Sequence, residues 1–557
     1  MDKLCLRRLR VVSEISPWYA SVAALFVCAS GCSDAADLNT GNDDLKVRFD
    51  NTVKYSTAYR LKKSSNTLVN PAVNSSNVNL DDGDRNFSRG LVSNRLDWLG
   101  ELDVNWKQSF GFRVSAAGWY DDIYNRGNDN SSPETINSFS TGAGYFTDAT
   151  RRLHGRKAEF LDAFVFGRWN LAGKDVSLRL GHHSFLWGES LFFGTNGIAA
   201  AQAPVDAVKA TSVPNTQFKE LLLPVNQISG QIALTPRTSL GGYYQFEWRR
   251  SRLPASGSFF SFNDFVDVGG ERISAGPGEA FYRGRDINGS NHGQFGLQLR
   301  WRMEKPDIDF GLYAVQYHDK GPQIYIYPGL NVDPAIGKIG QYALVYPEKI
   351  RALGASFSTT LLDANVAGEI SVRHNAPLVS DAATVLGVGT NSGSGSLYAI
   401  GRTAHAQVSI IDALPATSLW PSANLIGEIA WNRRLSITRN AEALDPNTTR
   451  DALGLRFVLE PSYYQVIDGM DITVPIGIGW NPSGRSSAVS AFNGGVSKGG
   501  DLSVGISGTY LNTWKFSLNY THYFGAAGSQ LDAENHLTFK QFYKDRDFVS
   551  FTLYRTF

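Results

Sequence analysis

The chain is nearly devoid of cysteine. Cys5, Cys28 and Cys32 all fall in its first 32 residues, and none follows in a sequence of 557. Beyond residue 32 there can be no structural disulfide, no cysteine-ligated zinc site and no cysteine nucleophile. Such a composition suits a chain that crosses an oxidising periplasm. Long apolar runs are also missing. Nothing after residue 35 approaches the roughly 20 consecutive apolar residues of a membrane helix, which excludes a helical membrane protein. Charge of one sign is missing too. Residues 1–35 hold four of the 53 Lys and Arg and three of the 52 Asp and Glu, so 49 of each remain without them. That balance argues against a nucleic-acid binder, which should be basic, and against a pore with a strong overall charge preference. No Pro/Ser linker, charge block or short-period repeat marks a boundary. A soluble chain this long would usually split into domains of about 100–200 residues.

What is present is alternation. Residues 45–61 read LKVRFDNTVKYSTAYRL. Odd positions are apolar, aromatic or Thr apart from Asn51, and even positions carry Lys46, Arg48, Asp50, Lys54 and Arg60. Period two marks a β-strand with one apolar and one charged face. Strands of soluble domains usually run about 3–10 residues. A strand this long, charged along one side, fits a barrel wall with lipid outside and water inside. The slightly negative mean hydropathy of −0.21 fits as well, because the apolar residues of a barrel occupy only alternate positions.

The pattern recurs in pairs of strands joined by tight turns. The first pair is 94–106 with 111–123. Then come 157–169 with 175–187, 226–235 with 239–250, 292–302 with 307–318, and 349–360 with 365–375. The last three are 398–411 with 422–434, 450–460 with 470–481, and 501–510 with 514–524. Polar segments rich in Gly, Asn and Ser, mostly about 15–40 residues long, separate one pair from the next. With the opening strand and a closing strand in FVSFTLYRTF, the count is eighteen. The expected fold is therefore all-β: a single transmembrane antiparallel β-barrel of about 18 strands, with short periplasmic turns and long extracellular loops. In lipid no backbone donor can stay unpaired, so the sheet must close.

Residues 1–35 read as a secretory signal peptide, with a basic head (Lys3, Arg7, Arg8, Arg10), an apolar stretch and small residues ending at Ala35. Ala29-Ser30-Gly31-Cys32 offers a second reading as a lipobox that would lipidate Cys32. Residues 36–44 form a short N-terminal segment, and the barrel spans 45–557. Val549, Phe551, Leu553 and Phe557 share one face of the closing strand. A terminal aromatic such as Phe557 resembles the signal read by the bacterial barrel-assembly machinery, although Arg555 departs from the usual apolar residue there.

Several blocks resemble one family of proteobacterial outer-membrane proteins, catalogued as domain of unknown function 1302. They are RLGHHSFLWGES (179–190), APVDAV and LLLPVNQ (within 203–227), YYQFEW (243–248), GLYAVQYHDKGP (311–322), GEISVRHNAPL (368–378) and EPSYYQVIDGMDITVP (460–475). They occur in family order and span nearly all of 45–557. His182-His183 departs from a Lys-Gln pair more common in the family. The resemblance implies an outer-membrane barrel without a settled substrate, and it points to apolar cargo.

Few motifs suggest chemistry. Gly495-Val496-Ser497-Lys498-Gly499 matches the nucleophile elbow G-x-S-x-G, but that motif needs a strand before it and a helix after it. Asp81-Asp82-Gly83-Asp84 with Asn79 and Asn86, and Asn128-Asp129-Asn130, are oxygen-rich loops able to hold Ca²⁺ or simply to be solvated. Neither has full EF-hand spacing. His182 and His183 are adjacent in a strand and point to opposite faces, so they cannot chelate one metal. No cofactor and no metal site are expected.

The segment 187–225 is long, apolar and poor in charge for a loop in water. It is expected to fold into the lumen as a constriction or plug, or to pack on its neighbours as a lid. Arg179, His183, Trp187, Glu189, Tyr243, Glu247, Arg249, Glu369 and Arg373 are its candidate lining. Lys46, Arg48, Lys54, Asp97, Glu101, Asp103 and Arg113 are expected to form a charge ladder inside the first strands. It would either set a transverse field or pair up and stiffen the wall.

The leading functional expectation is a porin-like channel in the outer membrane of a Gram-negative bacterium, passing small hydrophobic or aromatic solutes passively. The alternatives are a loop-plugged structural or assembly platform and an outer-membrane hydrolase, for which no Ser/His or Asp/His pair assembles. Expected partners are outer-membrane lipids, the barrel-assembly machinery and a small-molecule solute, with no nucleic acid. The alternation does not set the oligomeric state.

Overall fold

Alternating sequence becomes one closed wall. The structure is a computed structural model and describes residues 36–38, 40–213 and 217–557; the expected leader over 1–35, with Cys32, lies outside the described residues. Eighteen barrel strands follow in chain order. They are β1 Leu45–Arg60, β2 Gly90–Trp106, β3 Phe110–Asp121, β4 Arg156–Leu171, β5 Lys174–His183 and β6 Val225–Thr235. Next are β7 Thr238–Gln245, β8 Gln294–Glu304, β9 Asp307–Tyr317, β10 Ile350–Leu361, β11 Ala364–Pro377 and β12 Ile400–Leu414. The last are β13 Ser422–Arg439, β14 Asp451–Ile467, β15 (Met470–Thr473 and Ile476–Gly484), β16 Gly500–Tyr510, β17 Trp514–Phe524 and β18 Phe548–Thr556.

Each strand pairs antiparallel with the next, and β18 closes on β1 from Thr52↔Thr556 to Arg60↔Phe548. The ladder continues through Phe557, whose N–H donates to the Asn51 carbonyl at 2.8 Å and whose carbonyl accepts from the Asn51 amide at 3.0 Å. Beyond that point Ala36–Leu38 folds back on Val47–Phe49 and pairs three more residues of the β1 edge. Part of the expected 36–44 segment thus belongs to the wall.

The outward row is predominantly apolar, with Phe160 72% and Ile370 62% exposed. Such rings and branched chains would cost about 25 cal/mol per Å² against water, whereas a lipid environment requires them. Arg555 shares that row, opposite Val53 and Trp514. Its guanidinium lies between two rings, 5.2 Å from Trp514 and 5.1 Å from Phe557, which accounts for the charge in an otherwise apolar position.

Short turns gather at one end. In three of them both central residues are left-handed without glycine: Lys107 and Gln108, Leu362 and Asp363, and Leu511 and Asn512. This is the twist-matched hairpin geometry. β14 continues through the stretch PSYYQVI, where a turn was expected, because Ser462 and Tyr463 pair with Thr473 and Ile472 and the turn tightens at Asp468–Gly469.

Long loops gather at the other end and pack into a cap. Part of it is a five-stranded sheet, unexpected from sequence, formed by Arg272–Gly276, Glu279–Arg283, Gln323–Asp333, Lys338–Val345 and Ala383–Thr384. An apolar cluster of Phe87, Tyr124, Phe146, Phe259, Tyr543 and Phe548 sits beneath another part. The oxygen-rich loop at 81–84 is consumed internally: Asp84 pairs with buried Arg60, Asp81 with Arg85, and Asp82 accepts from the Asn130 amide group at 3.2 Å and the Asn137 N–H at 3.0 Å. Gly495–Gly499 lies between a short 3-10 turn and β16, without the strand-then-helix context of a nucleophile elbow.

Candidate functional site: a loop clamped across the lumen

The segment after β5 leaves the wall at Ser184 and crosses to the far side, where β11, β12 and β13 hold it by its backbone. On β11, Ile370 faces outward, so Glu369 and Arg373 face in. Glu369 is 4% exposed and accepts from the amides of Glu189 at 2.8 Å and Ile198 at 2.9 Å, and from the Ser190 hydroxyl at 3.2 Å. On β13, one oxygen of Glu428 accepts from three successive amides, those of Leu191 (3.2 Å), Phe192 (2.5 Å) and Phe193 (2.9 Å). Arg373 supplies the opposite charge. One of its terminal nitrogens donates to the carbonyls of Thr195 (3.0 Å), Asn196 (2.7 Å) and Gly197 (2.9 Å). Carboxylates thus meet N–H groups and a guanidinium meets carbonyls, so the buried backbone of the crossing loop is satisfied.

Asn196 locks the register. Fully buried, it donates to Gln407 at 3.2 Å and the Trp431 carbonyl at 3.3 Å, and its oxygen meets His405 at 3.1 Å and Asn432 at 3.2 Å. Two glycines are required sterically. Gly188 has φ +88°, and a Cβ there would strike Glu369; a Cβ on Gly197 would strike Glu369 and the Ser190 hydroxyl.

A continuous row of rings joins the near wall to the start of the crossing loop. Phe164 and His183 are 5.3 Å apart between centroids, Phe185 and Tyr243 4.9 Å, Trp187 and Tyr243 5.0 Å, and Trp187 and Tyr313 6.2 Å. Arg179 lies over Phe164 at 5.7 Å. The Glu189 carboxylate reaches within 3.8 Å of Arg300 on β8, on the inner face. Phe164, Phe185 and Trp187 are half-buried and give the row its accessible apolar surface, flanked by a few charges, while His183, Tyr243 and Tyr313 are buried against them.

Sequence-expected residues fall into two groups. Trp187 and Tyr243 meet directly, Arg179 and His183 join them through Phe164 and Phe185, and Glu189, Glu369 and Arg373 share the clamp. Glu247 and Arg249 do not belong there. The strand β7 ends at Gln245, where the chain turns away before the alternation in the sequence does. Glu247 accepts from the Asn226 amide at 3.0 Å and lies 3.9 Å from His182. Arg249 reaches Glu159 at 3.8 Å and the Pro224 carbonyl at 3.5 Å, near the loop end of the barrel. Sequence reading missed Phe185, Asn196, Arg300, His405, Gln407 and Glu428; the signal for Glu428 was that it is the one carboxylate of β13 and lies on the inner row.

Six of the seven ladder residues lie on the inner face in ion pairs. Lys54 is 3.8 Å from Asp97, Arg48 is 2.7 Å from Asp50, and Arg113 joins Glu101, Asp103 at 3.1 Å and Asp162 at 3.4 Å. Lys46 is exposed near the short-turn end, opposite Asn105. Opposite charges, within β1 and across neighbouring strands, therefore neutralise locally and brace the wall.

The sequence model of the family described as protein of unknown function, DUF1302, matches residues 18–557. Among solved structures, the chain is similar to OccAB4 of Acinetobacter baumannii, at 10% identity and a TM-score of 0.40 over 92% of this chain and 97% of that one. It is also similar to OpdK of Pseudomonas aeruginosa with vanillate, at 9% and 0.38 over 92% and 98%. A third is the outer membrane channel DcaP of A. baumannii, at 7% and 0.37 over 92% and 97%. No curated protein matches.

Proposed function

The chain belongs to the family of unknown function DUF1302, and for this member we propose an outer-membrane channel of a Gram-negative bacterium through which small hydrophobic or aromatic solutes diffuse passively. The observation that carries this reading is the ring row in which Phe185 and Trp187 of the crossing loop pack on Phe164, His183, Tyr243 and Tyr313 of the wall. Paired rings gain only about 0.5–1.5 kcal/mol beyond burial, which suits a surface along which a solute slides without being trapped. Arg179 and the Glu189–Arg300 pair flank the row and can orient a polar end. A second reading, a barrel plugged by its own loops that serves as a platform, is favoured by the packed cap over the long-loop mouth.

Single-channel recording in a planar bilayer separates the two. A channel gives discrete conducting steps, with open times shortened by aromatic solutes and less so after Trp187→Ala. Silence from protein shown to be folded by its heat-modifiable gel migration would refute the channel and leave the platform.

A further inference from the structure

The sequence reading expected no metal, yet three loops of the cap converge on a cluster suited to one. Asp381 lies between β11 and β12, Asp445 between β13 and β14, and His536 between β17 and β18. One ligand atom from each lies within 4.8 Å of the other two.

The loops are built to present these groups. Segments 379–381 and 443–445 run antiparallel: the Asp381 amide donates to the Ala443 carbonyl at 3.1 Å, the Asp445 amide to the Val379 carbonyl at 3.1 Å, and Ser380 bridges Leu444. The turn carrying His536 is held by Asp532, whose carboxylate accepts from the amides of Glu534 at 3.1 Å and His536 at 2.9 Å. The next amide, that of Leu537, donates to Asp445 at 2.7 Å and ties the third loop to the second.

As an ion pair the cluster is incomplete. His536 Nδ1 sits 3.0 Å from one Asp381 oxygen. The other Asp381 oxygen is buried and has no hydrogen-bond partner. Asp445 is 1% exposed, and its carboxyl faces that of Asp381. Among the described residues, neither aspartate forms an ion pair with any Lys or Arg. One imidazole therefore stands against two carboxylates, with Asp532 adding a third negative charge nearby. A dication would supply the missing charge and occupy the orphaned oxygen.

We infer that Asp381, Asp445 and His536 form a binding site for a divalent transition-metal ion of the zinc class, which staples three loops over the long-loop mouth. The donor set selects the class. Imidazole with carboxylates suits zinc and its neighbours, whereas calcium and magnesium favour all-oxygen sites. Zinc–ligand bonds of about 2.0–2.2 Å place tetrahedral ligands about 3.4 Å apart, inside the observed spread. Asp381 and His536 remain 25% and 32% exposed, so an ion can enter from solvent and a water can complete its shell.

Calorimetric titration of the purified protein with Zn²⁺, and absorption with Co²⁺ as its visible stand-in, tests the site. The expected result is one tight ion per chain, with affinity at least about tenfold lower in His536→Ala and in Asp381→Asn. His522→Ala, whose imidazole pairs with Asp547 outside the cluster, should bind as the parent does. Zn²⁺ should also slow proteolytic cutting within 530–540 in the parent and not in His536→Ala. Absence of binding, or binding equally tight in both cluster variants while their gel migration shows a folded barrel, overturns the inference. So does loss of binding in His522→Ala.

Discussion

Removing Glu428 should release the crossing loop. Its single oxygen accepts from the amides of Leu191, Phe192 and Phe193. A hydrogen bond to a charged group contributes about 1.5–3 kcal/mol net, and a buried donor left unpaired costs about 1–3 kcal/mol. Three donors sharing one oxygen do not add fully, and counting them as two gives about 3–4 kcal/mol for Glu428→Ala. At about 1.4 kcal/mol per factor of ten, the released population rises by roughly two to three orders of magnitude. Glu428→Gln keeps an acceptor oxygen and loses only the charge, so about 1–2 kcal/mol, or around tenfold, is expected. A chain produced from Ala36 onward has no cysteine of its own, so Ala199→Cys, at a fully buried position of the loop, makes a unique probe. With opening fast relative to labelling, the rate of thiol modification reports the released fraction. The order expected is alanine variant, then glutamine variant, then parent. Equal rates in all three, or faster labelling of the glutamine variant, would refute the clamp.

Gly197→Ala should act in the same direction through sterics, because its Cβ would collide with Glu369 and Ser190; labelling at Ala199→Cys should accelerate, whereas Gly142→Ala, with open space around its Cβ, should change nothing. The cap should tighten in acid. Burial, reinforced by Asp82, raises Asp81 to about 8; burial raises Asp82 to about 6; and burial, reinforced by Asp84, raises Asp545 to about 7. Groups raised in the folded state hold protons there that the unfolded chain has released, so stability falls as pH climbs from about 4 towards 8. Intrinsic-rate-corrected hydrogen exchange over residues 80–87 should be slower at pH 5 than at pH 8, and Asp81→Asn should shrink the difference; greater protection at pH 8 would contradict this.

Much of the wall was legible because lipid and water impose opposite demands on successive residues. Leu45, Val47, Phe49 and Val53 against Lys46, Arg48 and Lys54 fix a face, and the face repeats for eighteen strands. Glu369 and Arg373 were legible for the same reason, as charges on an inner row. Glu247 and Arg249 were misplaced because alternation says where a face points but not where a strand stops. Glu428 and Asn196 stayed hidden because their partners are backbone amides and carbonyls of a loop distant in sequence. Backbone groups are the same for every residue, so no residue type in 191–197 announces that it will be bound by a carboxylate or a guanidinium. The metal-suited trio was hidden in a similar way, one ligand on each of three loops separated by 64 and 91 positions along the chain.

The same anonymity gives the clamp a functional property. A loop inside a barrel must satisfy its backbone just as a wall strand must, and here Glu369, Arg373 and Glu428 do so without engaging most of the loop's side chains. The side chains of Phe185, Trp187 and Glu189 are left to face the rings of β7 and β9 and the Arg300 guanidinium. Position is therefore set by the wall and surface chemistry by the loop, and the two can vary separately. Substitutions at Phe185 or Trp187 should alter which solutes pass while thiol labelling at Ala199→Cys stays as slow as in the parent. Substitutions at Glu369, Arg373 or Glu428 should raise labelling and passage of all solutes together. If Trp187→Ala accelerated labelling as strongly as Glu428→Ala, the rings would be holding the loop, and the division between clamp and surface would be wrong.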